Sequence, residues 1–238
     1  MKKTALLMLM LTLSGCASPY NRKDPLEPLN RKVYKFNDTV DKAVLKPVAK
    51  GYKSVVPLPA RLMVGNFFSN LNDVVVVVND VFQLKGRQAF SDVGRVLINS
   101  TLGFAGLVDV AGPSGYHKHD EDFGQTLGYW GLGPGPYLVL PFLGPSTFRD
   151  GLGALADSQF YPVNRTSVVA RRNRLILANG IDRRADLLDT EDILMQAALD
   201  PYAFIRDAYL QHRRSLIYDG NPPMENDDDE ADDASPGK

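Results

Sequence analysis

One cysteine, three histidines and no Gly-x-Ser-x-Gly turn leave this 238-residue sequence few residues for covalent or metal chemistry. Cys16 is the clearest. Lys2 and Lys3 precede a nine-residue apolar run from Ala5 to Leu13, and the small residues Ser14 and Gly15 follow, the layout of a secretory signal too short to span a bilayer. Leu13-Ser14-Gly15-Cys16 has the form of a bacterial lipobox, in which the thiol receives a diacylglyceryl group and cleavage leaves the cysteine as the new N-terminus. Each buried methylene contributes about 0.8 kcal/mol, so several acyl chains on Cys16 make it an anchor. Ala17, where an aspartate would favour inner-membrane retention, directs the lipidated chain to the outer membrane.

The other chemical groupings carry less. His117, His119 and Asp120 offer three ligands in a polar loop, one short of a structural metal site. Gly112-Pro113-Ser114-Gly115 has the wrong spacing for a nucleophile elbow, and an esterase is unsupported. Gly151-Leu152-Gly153-Ala154-Leu155-Ala156 spells a dinucleotide fingerprint without a strand leading into it. The pairs Arg171-Arg172, Arg183-Arg184 and Arg213-Arg214 suit solvated helix faces better than lipid phosphates. No cofactor is expected, and the reading is not an enzyme.

Charge narrows the partners. The formal net charge of -1 provides no basic field for nucleic acid. Residues 221–238 carry seven acids against Lys238, with three prolines, and are expected to be a disordered acidic tail. The divisions are therefore 1–15 signal peptide, 16–27 lipidated leader, 28–220 one membrane-embedded domain, and 221–238 tail.

The positioning elements are mainly helical. Leu29, Val33, Phe36, Val40 and Val44 make one face of an amphipathic helix ending near Pro47. From about Arg61 to Phe82 the apolar spacing again predicts a helix, although the five valines 74–78 favour strand locally. Between Gly103 and Gly153 lie 12 of the 20 glycines and five of the 16 prolines, around the apolar run Tyr137 to Leu143. That segment cannot be regular helix, and it must be buried or inserted into something apolar. Helices resume after Pro162: one over Leu175 to Leu188, a second capped by Thr190, a third from Asp200-Pro201 toward Tyr218. No stretch of 18 apolar residues lies beyond the signal, so no single helix is expected to span a bilayer.

Several motifs then occur in one order. They are Asp24-Pro25-Leu26-Glu27 with Asn30-Arg31, Tyr34 and Phe36-Asn37; Glu121 to Gly128; Gly133-Pro134-Gly135-Pro136-Tyr137; Leu140-Pro141; Gly144 to Thr147; Arg149-Asp150; and Asp200-Pro201-Tyr202. Together, behind a lipobox, they resemble the MlaA/VacJ family of outer-membrane lipoproteins over about Asp24 to Pro223. Many members carry proline where Val74 stands, which bears on a local helix boundary. The resemblance implies a mostly α, single-domain ring of amphipathic helices in the inner leaflet of the outer membrane, with a central channel and a Gly/Pro-rich apolar hairpin-like segment. It implies association with trimeric porins, removal of phospholipid misplaced in the outer leaflet, and delivery to the periplasmic carrier MlaC. It makes Asn30, Phe36, Asn37, Tyr137 and Leu140 the candidates for channel or gate. Alternatives are a structural porin-associated lipoprotein and, behind it, a lipid hydrolase.

Overall fold

The computed structural model describes residues 24–223, without the side chains of 192–197. Cys16, the signal segment and the acidic tail beyond Pro223 lie outside the described residues. The described chain is mostly helical: α1 (Glu27–Val40), a π-helical turn (Asp41–Leu45), α2 (Lys46–Val55), α3 (Leu58–Phe82), α4 (Gly86–Thr101) and α5 (Phe123–Tyr129) precede the strands β1 (Tyr137–Leu140) and β2 (Gly144–Thr147). After them come α6 (Phe148–Phe160), a 3-10 turn (Pro162–Arg165), α7 (Val169–Ala197) and α8 (Pro201–Ile217).

Pro47 does not end the first helix. Lys46 N–H reaches back to Asp41 O, and that π-type turn shifts the ladder so that proline falls in the opening turn of α2, where its missing N–H costs little. Thr190 caps nothing, because α7 runs unbroken from Val169 to Ala197. The glycine-rich stretch is also more helical than its composition predicts, since α5 and α6 both lie within it. Packing overrides propensity there: a Cβ on Gly153 would stand 2.3 Å from Gly124 N, so the glycines allow α5 and α6 to touch through their backbones. The fingerprint glycines Gly151 and Gly153 thus belong to a helix interior. The hairpin-like segment is a true antiparallel hairpin with Tyr137 opposite Thr147 and Leu140 opposite Gly144.

The valine run is helical, and α3 passes Val74 without a break. By length and composition α3 is able to cross a membrane, its best window having a mean hydropathy of 1.2, which corrects the expectation that no helix could. Its polar residues explain its placement: Asn70, Asp73, Asn79 and Asp80 are all buried on the protein side. The same inversion holds throughout. Among the described residues 19 buried side chains are polar or charged against 12 apolar, so the interior is held by hydrogen bonds and ion pairs more than by hydrocarbon. Leu58, Phe90, Leu102, Phe104, Leu143 and Leu155 meanwhile stand more than half exposed.

Candidate functional site

The five candidates converge on one seam, where α1 lies against the free edge of β1. Asn30 Nδ2 donates to Tyr137 O at 2.9 Å, and Val139 N–H donates to Asn30 Oδ1 at 2.9 Å. Two turns on, Asn37 Nδ2 donates to Leu140 O at 2.9 Å, and Phe142 N–H donates to Asn37 Oδ1 at 2.9 Å. The spacing is geometric: seven residues of helix rise about 10.5 Å, close to the roughly 10 Å covered by three residues of strand. Each carboxamide thus replaces one peptide group of an absent neighbouring strand.

The seam is buried at one end and open at the other. Asn30 also donates to Asp24 Oδ1 at 2.8 Å, and the Tyr202 hydroxyl donates to Asp24 Oδ2. Burial and the Asp24 carboxylate both push the Tyr202 phenol upward, so it remains a donor. Tyr137, 1% exposed, packs edge-on against Tyr202 and Tyr209 with centroids 6.4 and 6.2 Å away. Arg31 lies 4.4 Å above the Tyr202 ring and pairs with Asp200, the side-chain cap of α8. At the open end Phe36 meets Phe142 edge-on at 5.3 Å, and both rings face outward. Phe142 has φ +65, a conformation costly for a bulky residue, and its N–H bond to Asn37 helps to hold it there.

Behind the hairpin an arginine ties three helices. Arg213 of α8 donates to both oxygens of Asp122, the N-cap of α5, and to Asp150 in the first turn of α6, at 3.1 Å from Nε and 2.9 Å from Nη2. Arg149 and Tyr209 complete the shell of Asp150. Burial alone would raise both carboxyls, but the guanidinium outweighs it and holds them below the ordinary carboxylate range. Gly124 leaves room for this lock, since a Cβ there would lie 2.6 Å from Asp150 Oδ1. A second polar run joins α3 to α5: Thr126 donates to Asn79 Oδ1 at 2.8 Å, and Gln83 donates to Glu121 and Thr126. The sequence reading put Arg213 on a solvated helix face, and the structure corrects this: Arg213 is buried and bonded to two carboxylates. Asp122 and Asn79 were not singled out as site residues, although Asp122 and Asp150 sit inside the quoted motifs.

Arg213, Tyr209 and the asparagine pair fix a scaffold and contain no nucleophile with a base beside it. His119 is hydrogen-bonded to Asp92 at 2.8 Å, and no group of three or more metal-ligating side chains occurs among the described residues.

Fold and site define a mostly helical protein that leaves many large hydrocarbon side chains exposed and buries a network of polar and charged ones. A family model described as MlaA lipoprotein matches residues 22–216. The chain belongs to that family. It is 39% identical to the Escherichia coli (strain K12) intermembrane phospholipid transport system lipoprotein MlaA, over 95% of this chain and 93% of the relative. It is 33% identical to the Haemophilus influenzae protein of the same name, over 92% of each, and 36% identical to an uncharacterised Rickettsia bellii protein over 86% and 80%. A solved structure from work on the structural basis for maintenance of bacterial outer membrane lipid asymmetry superimposes with a TM-score of 0.73 at 36% identity, covering 84% of this chain and all of the other.

Proposed function

We propose that this protein removes phospholipid misplaced in the outer leaflet of the outer membrane and passes it through an amphipathic channel to the periplasmic carrier MlaC. In this reading it is a transport protein and not an enzyme. The observation that carries the reading is the inverted burial: polar side chains inside, large apolar side chains outside. A surface of that kind is costly in water and suited to acyl chains, and the bonded polar interior holds the helices together without an apolar core. Cys16 supplies the lipid anchor, the helices form a ring in the inner leaflet, and a trimeric porin holds the ring in place. The hairpin is the wall or gate. Asn30 and Asn37 hold it to α1, Tyr137 seats its base, and Leu140 with Phe36 lies at its outer end.

The test is the phospholipid exposed in the outer leaflet of cells lacking the protein, complemented by wild type or by Cys16→Ala. Exposure that rises on deletion, and falls again only with the lipidated form, is the expected result. Unchanged exposure on deletion refutes the reading.

A further inference from the structure

A cavity of about 500 Å³ lies among Lys85, Arg87, Ser91, His117 and His119; its half-buried lysine is already paired with carboxylates, and Arg87 is exposed to solvent. Lys85 is paired with Glu121 and Asp219, and His119 with Asp92. Another cavity, of about 400 Å³, is of different character. It is lined by Ser158, Gln159, Asn164, Arg165 and Arg172, two cations with no carboxylate.

The chain builds this second cavity from three elements. The last turn of α6 supplies Ser158 and Gln159, the 3-10 turn supplies Asn164 and Arg165, and the first turn of α7 supplies Arg172. The main-chain acceptors at the end of α6 are already used. Asn164 Nδ2 donates to Ser158 O at 2.9 Å, and Arg165 Nε donates to Gln159 O at 2.9 Å. Those bonds fix Arg165 while leaving its two terminal nitrogens free. Arg172 is half-buried, and its guanidinium has no hydrogen-bond or ion-pair partner among the described residues. A partly desolvated cation without a partner is unfavourable. Its position adds to the cost, because α7 opens with Arg171, Arg172 and Arg174 and no acidic residue, so positive charge gathers at the positive end of the helix. A bound anion relieves both.

The donor set selects the anion. Ser158 spends its hydroxyl hydrogen on Leu155 O and accepts from Gln159 Nε2 at 3.3 Å. The donors left to the space are two guanidinium forks and the second amide hydrogens of Gln159 and Asn164, a set that suits the several oxygens of a phosphate better than a planar carboxylate. Leu155, Val168 and Val169 stand exposed beside these polar residues on α6 and at the start of α7. Polar donors flanked by hydrocarbon match a phosphodiester that carries acyl chains. We propose that Arg165 and Arg172, with Gln159 and Asn164, form a binding site for the phosphate of a lipid headgroup. The transport reading enters only in naming the lipid as the source of that phosphate.

The test uses the full-length lipidated protein in phosphate-free detergent, with arginine labelling by phenylglyoxal followed peptide by peptide. The probes are dihexanoyl phosphatidylglycerol, a glucosyl diacylglycerol of the same chain length, and inorganic phosphate. Phosphatidylglycerol is expected to slow labelling of Arg165 and Arg172 about tenfold and to leave Arg183 unchanged. Arg172→Ala is expected to weaken that lipid about tenfold, the loss of one charge-assisted hydrogen bond, without a change in Tm. Arg172→Lys, which keeps the charge and loses the fork, falls between. No protection, or equal protection by the sugar lipid, overturns the site. Equal protection by inorganic phosphate overturns its assignment to lipid. Protection in a protein that fails to restore asymmetry in cells leaves the site standing and removes the transport reading. Restored asymmetry with an unprotected pair removes the site alone.

Discussion

Replacing Asn37 by alanine tests whether α1 holds the hairpin as a surrogate strand. The change deletes the bond from Nδ2 to Leu140 O and the bond from Phe142 N–H to Oδ1, each 2.9 Å. A net hydrogen bond contributes about 0.5–1.5 kcal/mol, so the pair contributes about 2 kcal/mol to docking of the tip. Phe142 at φ +65 then loses the bond that favours its conformation, and relaxation to negative φ opposes re-docking. About 2 kcal/mol is roughly a 30-fold rise in the open population. Hydrogen–deuterium exchange of the peptide spanning 138–147 should accelerate by that order, while amides of α3 and α4 exchange as in wild type. Asn30→Ala should do more, because it strands Tyr137 O and Val139 N–H in a buried site. Unchanged exchange across the hairpin, or equal acceleration in α3, refutes the surrogate-strand argument.

Other consequences are equally direct. Arg213→Met leaves Asp122 and Asp150 without their shared cation and should cost about 3–5 kcal/mol, read as a lower urea midpoint. Because those two carboxyls are held below their unfolded values, their contribution is complete above about pH 4 and disappears as pH falls through the folded values; urea midpoints at pH 7, 4 and 3 should show that decline, and it should be absent in Asp122→Asn/Asp150→Asn. Gly153→Ala should lower Tm strongly, since its Cβ would press within 2.7 Å of Gly124 Cα. Gly151→Ala meets only Ser146 Oγ at 3.7 Å and should leave Tm unchanged or raised through its better helix propensity, about 0.5–1 kcal/mol.

Helices were legible where the apolar face repeats, as over Val33 to Val40 and Val64 to Phe82. They were hidden where the reading assumed an apolar core. The face that α4 turns inward is Asp92, Arg95 and Asn99, while Phe90, Val93 and Leu97 look outward, and the helix was not identified from sequence. Thr190 looked like a cap because threonine caps helices often; whether it does so depends on chain direction there, which neighbours decide. The seam candidates came from motif resemblance alone. Nothing local in Asn30 or Asn37 announces that its amide answers a strand more than a hundred positions away. Spacing of seven is a helical face, but the matching three-residue step on the hairpin is visible only once both are folded.

The polar interior also sets how this fold responds to temperature. Exposing apolar surface to water raises the heat capacity and exposing polar surface lowers it, by about 0.45 and 0.26 cal/K/mol per Å² respectively. Here many of the groups released on unfolding are Asn, Asp, Gln and Arg, while Phe90, Phe104 and Leu143 are exposed in the folded chain already. The two contributions offset each other, and the heat-capacity change per residue falls below the usual 12–15 cal/mol/K, about the value for a water-soluble domain. A smaller heat-capacity change flattens the stability curve, so chilling should weaken this fold less than one held mainly by buried hydrocarbon.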